Sequence, residues 1–326
     1  MSVKPISAHC RSMAPGFFAA KPDVQKERAS FDPGALIQKV TDPASHLSMA
    51  DAIDPVDKCS LLSAHAHEAS EPEDLPAVSV VMAAYNGQRY IREQLMSIVC
   101  QMEHQDELVI SLDPSTDATQ QIIQNIQSEN VDLKIVLVPG PGKGLIANFE
   151  HALGFAHNPI IVFSDQDDRW KGDKLDVIRH AFAKKPQLMA LVHDAQICSD
   201  DLQTVEPSYM KAHGSKNGLF NNLVRNSFIG CCMAVRKPVV DASLPFPYPI
   251  PMHDQFIGMQ ALRMGEVEFI DEVLIDYRRH QDNASSLKPS SFGDQIKWRL
   301  QLIQGLSKRK AKGIQKRKGL KALHIS

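Results

Sequence analysis

Between residues 77 and 164 the chain changes its apolar period repeatedly. "AVSVVMAA" is a continuous apolar run rich in valine, closed by Tyr85, Asn86 and Gly87, which is the pattern of a buried strand and a turn. In "QRYIREQLMSIVCQM" the residues Tyr90, Ile91, Leu95, Ile98 and Val99 fall on one helical face. "DELVISLD" predicts a second strand and "STDATQQIIQNIQSEN" a helix opened by Ser and Thr. "LKIVLVPG" predicts a third strand, "GLIANFEHALGFA" a helix, and "PIIVFSD" a fourth strand. Strands that are apolar along their length, alternating with amphipathic helices, predict a parallel sheet covered on both faces. Further on, "KLDVIRHAFAKKP" predicts a helix, "LMALVHDAQICSD" a strand, and "NSFIGCCMAVRKPVV" a strand feeding a helix. "MHDQFIGMQALRMG" predicts a helix that begins at an acidic position, and "EVEFIDEVLIDYRRH" a strand pair ending in a basic cluster.

The two ends of the chain lack this regularity. Residues 1–75 mix Pro, Ser, Ala, His and Asp without sustained period and close on the linker-like "SEPEDLP", so they read as a largely disordered extension with a short helix near Ala35–Val40. From Gln295, "QIKWRLQLIQGLSKRKAKGIQKRKGLKALHI" can be drawn as an amphipathic helix with Ile296, Leu300, Ile303 and Leu306 on its apolar side and Lys/Arg clustered later. The expected organisation is therefore 1–75 extension, 76–285 catalytic domain and 286–326 basic helical tail.

Totals change this picture little. A chain of 326 residues, 43% hydrophobic, can build a full-sized core. The formal charge of −2 hides an uneven spread, with the basic residues gathered in the tail, and it gives no reason to expect nucleic acid as a partner. Six cysteines form no C-x-x-C pair and no regular scaffold or zinc spacing, which fits a reducing compartment. No apolar run reaches the roughly 18 residues of a membrane span, so a cytoplasmic location is expected.

Open sheets of this type bind ligands beyond the carboxyl ends of their strands. Tyr85 and Asn86, Asp113, and the run Asp165 to Asp168 fall at those ends. "DQDD" places three carboxylates within four positions, and such a cluster needs a cation, a set of backbone donors or open water. A hard divalent ion bridging substrate phosphates takes one or two protein carboxylates, whereas an Asp-rich turn can also simply precede a helix.

Seven stretches in order, "VSVVMAAYNGQRYIREQLMSI", "DELVISLDPSTDATQQII", "GLIANFEHAL", "FSDQDDRWKGDKL", "NNLVRNSFIGCCMAV", "LPFPYPIPMHDQFIG" and "FIDEVLIDYRRHQDNAS", resemble the inverting family 2 glycosyltransferases of GT-A fold. Within that family they are most similar to the rhamnosyltransferase branch that decorates bacterial surface polysaccharides. The resemblance covers about residues 77–285. It implies an α/β, Rossmann-like GT-A domain with a mostly parallel central sheet, a nucleotide-sugar donor (a dTDP- or UDP-sugar, dTDP-L-rhamnose first), a glycan or lipid-linked acceptor, and Mn2+ or Mg2+.

By the same resemblance Asp113 would hydrogen-bond the donor's pyrimidine ring, with Ala83 and Tyr85 lining the base pocket and Asn148 and Asp165 nearby. Read locally, Asp113 could equally cap the following helix. Asp165 and Asp167 would form the D-x-D metal site, completed by His280, with Asp168 beside it. Asp254 matches the family's catalytic acid/base position, although a carboxylate at a helix start is also an ordinary N-cap. His253, Lys143, Arg278, Arg279 and His280 would face the diphosphate or acceptor, or form a plain solvated cluster.

Departures from the family pattern are visible. Leu112 and Pro114 stand where the "DDGSTD" pattern has Asp and Gly, and "VPGPGKG" replaces an Asn-containing turn. Two rival functions remain at this stage, a sugar nucleotidyltransferase and a non-catalytic nucleotide-binding relative. "AAYNGQRY" is a poor version of the Gly-rich basic loop the first requires, and retention of Asp113, Asp167 and Asp254 opposes the second. The basic tail suits the surface of an anionic membrane, which would make the protein peripheral on the inner face of the cytoplasmic membrane.

Overall fold

The computed structural model describes residues 75–280 and 292–322. The expectations for residues 1–74, including the short helix near Ala35–Val40, and for 281–291 lie outside the described residues.

The alternation continues into three dimensions. Strand β1 (Val78–Ala84), helix α1 (Ile91–Val99), β2 (Glu107–Leu112), α2 (Thr119–Glu129), β3 (Lys134–Pro139), α3 (Leu145–Leu153) and β4 (Ile160–Ser164) follow one another as the apolar periods predict. All seven residues of β1 are buried, which requires cover on both faces of the sheet. β1 runs parallel to β2 and to β4, and β2 parallel to β3. Each fully buried Val, Ile or Leu of β1, β2 and β4 contributes roughly 1.5–3 kcal/mol, and these strands belong to the one core cluster that continues through the second half of the sheet.

The second half is mixed. After β5 (Arg169–Trp170) and α4 (Lys174–Lys184) come β6 (Leu188–Cys198), β7 (Thr204–Glu206), α5 (Tyr209–His213) and α6 (Leu219–Val224). A 3-10 turn at Gly230–Cys232 feeds β8 (Met233–Arg236), then α7 (Lys237–Ser243), α8 (His253–Met264), β9 (Glu266–Arg278) and α9 (Phe292–Ala322) complete the described chain. The sheet order is β3-β2-β1-β4-β8-β6-β9-β5, with β7 paired to β6. β8 is antiparallel to both β4 and β6, while β6 and β9 are parallel.

Two expectations need correction. "EVEFIDEVLIDYR" is one strand rather than a pair, because Asp271 and Glu272 are taken up as an exposed bulge between the pairs His193–Ile270 and Asp194–Val273. The predicted apolar side of the tail helix divides in two. Leu302 is fully buried and Leu306 packs on the core, whereas Ile296, Leu300 and Ile303 are exposed.

Candidate active site

The loops after β1 and β2 are laced together. Gly87 N–H donates to Thr119 Oγ1 (2.7 Å), Gln88 N–H to Asp117 Oδ2 (3.0 Å), and Thr116 N–H to Asn86 Oδ1 (2.8 Å). Asn86 adopts a positive φ of 44° at the apex, a conformation its short polar side chain tolerates. Gln166, from the loop after β4, pairs with Tyr85 through both ends of its amide: Tyr85 N–H donates to Oε1 and Nε2 donates to the Tyr85 carbonyl, each at 2.9 Å. Gly87 leaves room for that amide, since a Cβ there would lie 2.4 Å from Gln166 Oε1. The result is a fixed backbone beneath an exposed Tyr85 ring, with Ala83 buried two residues back in β1.

Asp113 is not a helix cap, because α2 starts only at Thr119 and its first turn is served by Asp117. It is buried instead, and Gly142 N–H donates to its Oδ1 at 2.7 Å. Gly140 lies so close that a Cβ would stand 2.4 Å from Asp113 Oδ1 and 2.7 Å from Asn148 Oδ1. Asn148 is thus a buried neighbour of Asp113 rather than a surface residue. Its Nδ2 donates to the Ala84 carbonyl (3.2 Å), and its Oδ1 has no hydrogen-bond partner among the described residues. The two sequence departures fit each other: Gly142, at φ 64°, sits against the Pro114 ring, so the glycine-rich loop replaces the usual turn by packing on the proline. Lys143 follows, exposed on the same loop.

The acidic cluster is built differently. Burial, then the charges of Asp167 and Asp254, push the Asp165 carboxyl up to about 7. Burial, then Asp167 and Asp165, raise Asp168 well above the carboxylate range. Arg278 N–H donates to Asp168 Oδ1 (3.0 Å), but the fully buried Oδ2 has no hydrogen-bond partner within normal distance. Single ligand atoms of Asp165, Asp168 and Cys231 lie within 4.8 Å of one another, and the Asp167 carboxylate is hydrogen-bonded to His280 Nε2 (2.8 Å). The buried Asp168 oxygen without a donor, grouped with Asp165 and the Cys231 thiol and next to the Asp167–His280 pair, offers carboxylate oxygens that fit a hard divalent cation.

Sequence reading missed two members of this cluster, Cys231 and Lys174, and placed Arg278 toward the diphosphate, where the structure turns it inward. Cys231 arrives from the 3-10 turn before β8. Lys174 opens α4 and is completely buried; its Nζ donates to the Cys231 carbonyl (2.8 Å) and stands 3.9 Å from the Trp170 ring centroid. Burial lowers its ammonium to about 8, against the pull of neighbouring Asp168 and Asp165. Arg278 turns its guanidinium to the protein: Nε donates to the Asp167 carbonyl (2.9 Å), Nη1 to the Asp200 carbonyl (2.5 Å), and Nη2 pairs with Glu93. It braces the acidic loop from behind.

Asp254 lies in the first turn of α8, whose cap position belongs to Met252, so it is no N-cap. Gly230 N–H donates to its Oδ2 (3.1 Å) and Gln255 N–H to its Oδ1 (2.5 Å). Burial outweighs both donors and raises the carboxyl to about 6. The Gly230–Cys232 turn links it to the acidic cluster, since Gly230 N–H meets Asp254 while Cys231 Sγ lies within 4.8 Å of ligand atoms of Asp165 and Asp168. His253 is part of the core: its ring stacks on Phe149 at 4.1 Å, both nitrogens lack partners among the described residues, and burial lowers it to about 3.

Comparison with known proteins gives this arrangement its class. The fold is shared with the Staphylococcus aureus TarS 1–349 structure in complex with UDP-GlcNAc, at TM-score 0.53 and 20% identity over 70% of this chain and 66% of that one, and it is a GT-A-type α/β fold. Residues 79–244 match the family described as Glycosyl transferase family 2, and the chain belongs to that family of transferases. Among curated relatives it is 25% identical over 216 residues (65% of this chain, 80% of the relative) to the Escherichia coli UDP-Glc:alpha-D-GlcNAc-diphosphoundecaprenol beta-1,3-glucosyltransferase WfgD. It is 26% identical over 215 residues (65% and 83%) to TuaG of Bacillus subtilis (strain 168), a candidate teichuronic acid biosynthesis glycosyltransferase.

Proposed function

We propose that the protein is an inverting, divalent-cation-assisted glycosyltransferase that moves a sugar from a pyrimidine nucleoside diphosphate to a glycan or lipid-linked acceptor of a cell-surface polysaccharide. The observation that carries this reading is the meeting of Asp165, Asp168 and Asp254 around the Gly230–Cys232 turn at the carboxyl ends of the strands, with one buried Asp168 oxygen left without a donor. Ala83, Tyr85, Asp113 and Asn148 line the side where a flat base fits, with the rigid Tyr85–Gln166 pairing as its floor. Asp165 and Asp167, with His280 beside them, would hold Mn2+ or Mg2+. The cation, when bound, neutralises the diphosphate as a leaving group.

Asp254 supplies the base. Inversion requires a proton acceptor on the face of the sugar opposite the diphosphate, and a carboxyl raised to about 6 is still largely ionised near neutrality while being a better base than an ordinary aspartate. The N–H groups of Gly230 and Gln255 hold its two oxygens in place, so the acceptor hydroxyl meets a fixed carboxylate. Lys143, exposed on the loop that follows β3, can reach a diphosphate from outside, whereas His253 shapes the cleft floor from within the core.

Resemblance to the rhamnosyltransferase branch makes dTDP-L-rhamnose the first donor to test, and the name of one curated relative makes UDP-glucose the second. A lipid-linked acceptor would be met at the cytoplasmic face of the membrane. The test is a screen of dTDP-, UDP- and GDP-sugars for slow donor hydrolysis with Mn2+ or EDTA. A pyrimidine donor should be turned over and EDTA should stop it; hydrolysis of none, or indifference to EDTA, contradicts the reading.

A further inference from the structure

The described chain has thirteen exposed large hydrophobic residues, and seven of them lie on just two helices, α6 (Leu219, Phe220, Val224) and α9 (Ile296, Trp298, Leu300, Ile303). Scattered single apolar residues need no explanation, but concentration on two neighbouring elements does. α9 is docked by its other side: Leu302 is fully buried, and Gly305 lies so close to Phe256, Pro247 and Ile250 that a Cβ would meet them at 3.1–3.7 Å. Ile296, Leu300 and Ile303, at i, i+4 and i+7, therefore form a second stripe directed away from the body. Arg299 ties the helices together, its Nη2 donating to the Val224 carbonyl at 2.7 Å.

Charge identifies what this face meets. The backbone of α9 stays helical to Ala322, and its sequence from 308 to 321 carries Lys308, Arg309, Lys310, Lys312, Lys316, Arg317, Lys318 and Lys321. No acidic residue follows Asp294 in the sequence. An apolar stripe continued by a run of like positive charge is the composition of a helix lying in the plane of an anionic lipid surface. A second copy of the chain would bring two such runs together against their mutual repulsion. None of the helices among the described residues is long and apolar enough to cross a membrane.

Both helices also reach the neighbourhood of Asp254. Gln255 Nε2 donates to the Asn222 carbonyl of α6 (3.1 Å), and the α9 contact at Gly305 falls on Phe256. We infer that α6 and α9 form one platform that seats the protein on an anionic membrane with the acceptor side of the cleft, beside Asp254, toward the lipid. This rests on the reading of a lipid-linked acceptor and adds the surface that presents it.

The test is co-sedimentation of the full-length protein with vesicles of phosphatidylcholine alone or with phosphatidylglycerol. Binding is expected only to the anionic vesicles, weakening at least tenfold as salt is raised. Leu300→Glu together with Ile303→Glu, or separately Phe220→Glu, should each cut binding at least tenfold while slow donor hydrolysis in solution stays at the wild-type rate. Failure to bind anionic vesicles, binding that survives both variants, or a dimer in sedimentation equilibrium that both variants disperse would overturn the platform. Wild-type protein that hydrolyses donor but does not bind anionic vesicles rejects the platform alone. Intact vesicle binding with no donor turned over rejects the transferase reading alone.

Discussion

Asp113 and Asp168 are both buried carboxylates beyond the ends of parallel strands, yet their surroundings are opposite. Asp113 is furnished: the glycine-rich loop brings Gly142 N–H to one oxygen, and Gly140 and Asn148 close around it. Asp168 is starved: one oxygen accepts the Arg278 N–H, the other has no partner, and two more carboxylates stand nearby. A buried polar atom left unpaired costs about 1–3 kcal/mol, and more when it is charged. On the proposed reading, the buried Asp168 oxygen without a donor receives positive charge, while Asp113, met by a backbone N–H and closely packed neighbours, recognises a shape.

The sharpest way to test that division is to ask which kinetic constant each side controls. Asp254→Asn should lower transfer by on the order of a hundred- to ten-thousandfold with nucleoside diphosphate affinity unchanged, measured by steady-state kinetics and calorimetry. Near wild-type turnover would remove Asp254 as the base. Next in size is Lys174→Met. Taking away the buried Lys174 ammonium beneath the acidic cluster should cost about 3 kcal/mol in urea unfolding without divalent ions, and added Mn2+ should recover part of it. An unchanged midpoint would mean that the cluster does not depend on internal countercharge.

On the furnished side, Gly140→Ala places a methyl against Asp113 and Asn148 and should cost about 1–3 kcal/mol of stability and raise the donor KM, leaving kcat little altered. A fall in kcat with KM unchanged would break the comparison. The smallest effect expected is on the pH profile. Burial raises Asp254 to about 6, and the base acts in its ionised form, so kcat/KM should climb as pH rises through about 6 and level off above it. The Gly140→Ala variant should keep that limb in place.

The furnished side was the more legible of the two in the sequence. Apolar runs fixed β1 to β4 and hence the strand ends at Tyr85, Asp113 and Asp165, because continuous valine and isoleucine runs flanked by helical periods admit few other arrangements. The bulge in β9 was not legible, since Asp271-Glu272 between apolar segments has the composition of a turn. Nor was the packed side of α9: apolar residues at both 296/300/303 and 302/306 draw two stripes, and only the fold decides which is buried. Lys174 and Cys231 escaped for a related reason. A lysine at a helix start reads as solvated, and a cysteine far along the chain carries no spacing that links it to Asp165 and Asp168. Gly87 and Gly140 read only as turn residues, and the close approaches to Gln166 and Asn148 that require them emerge from the fold alone.

The central claim is that the starved carboxylates are balanced by a divalent cation shared with a bound diphosphate. Calorimetry of the nucleoside diphosphate on wild type and Asp167→Ala, each with Mn2+ or EDTA, tests it most directly. Tight binding that requires Mn2+ in the wild type and disappears in the variant is the predicted result; equal binding in all four titrations would contradict it.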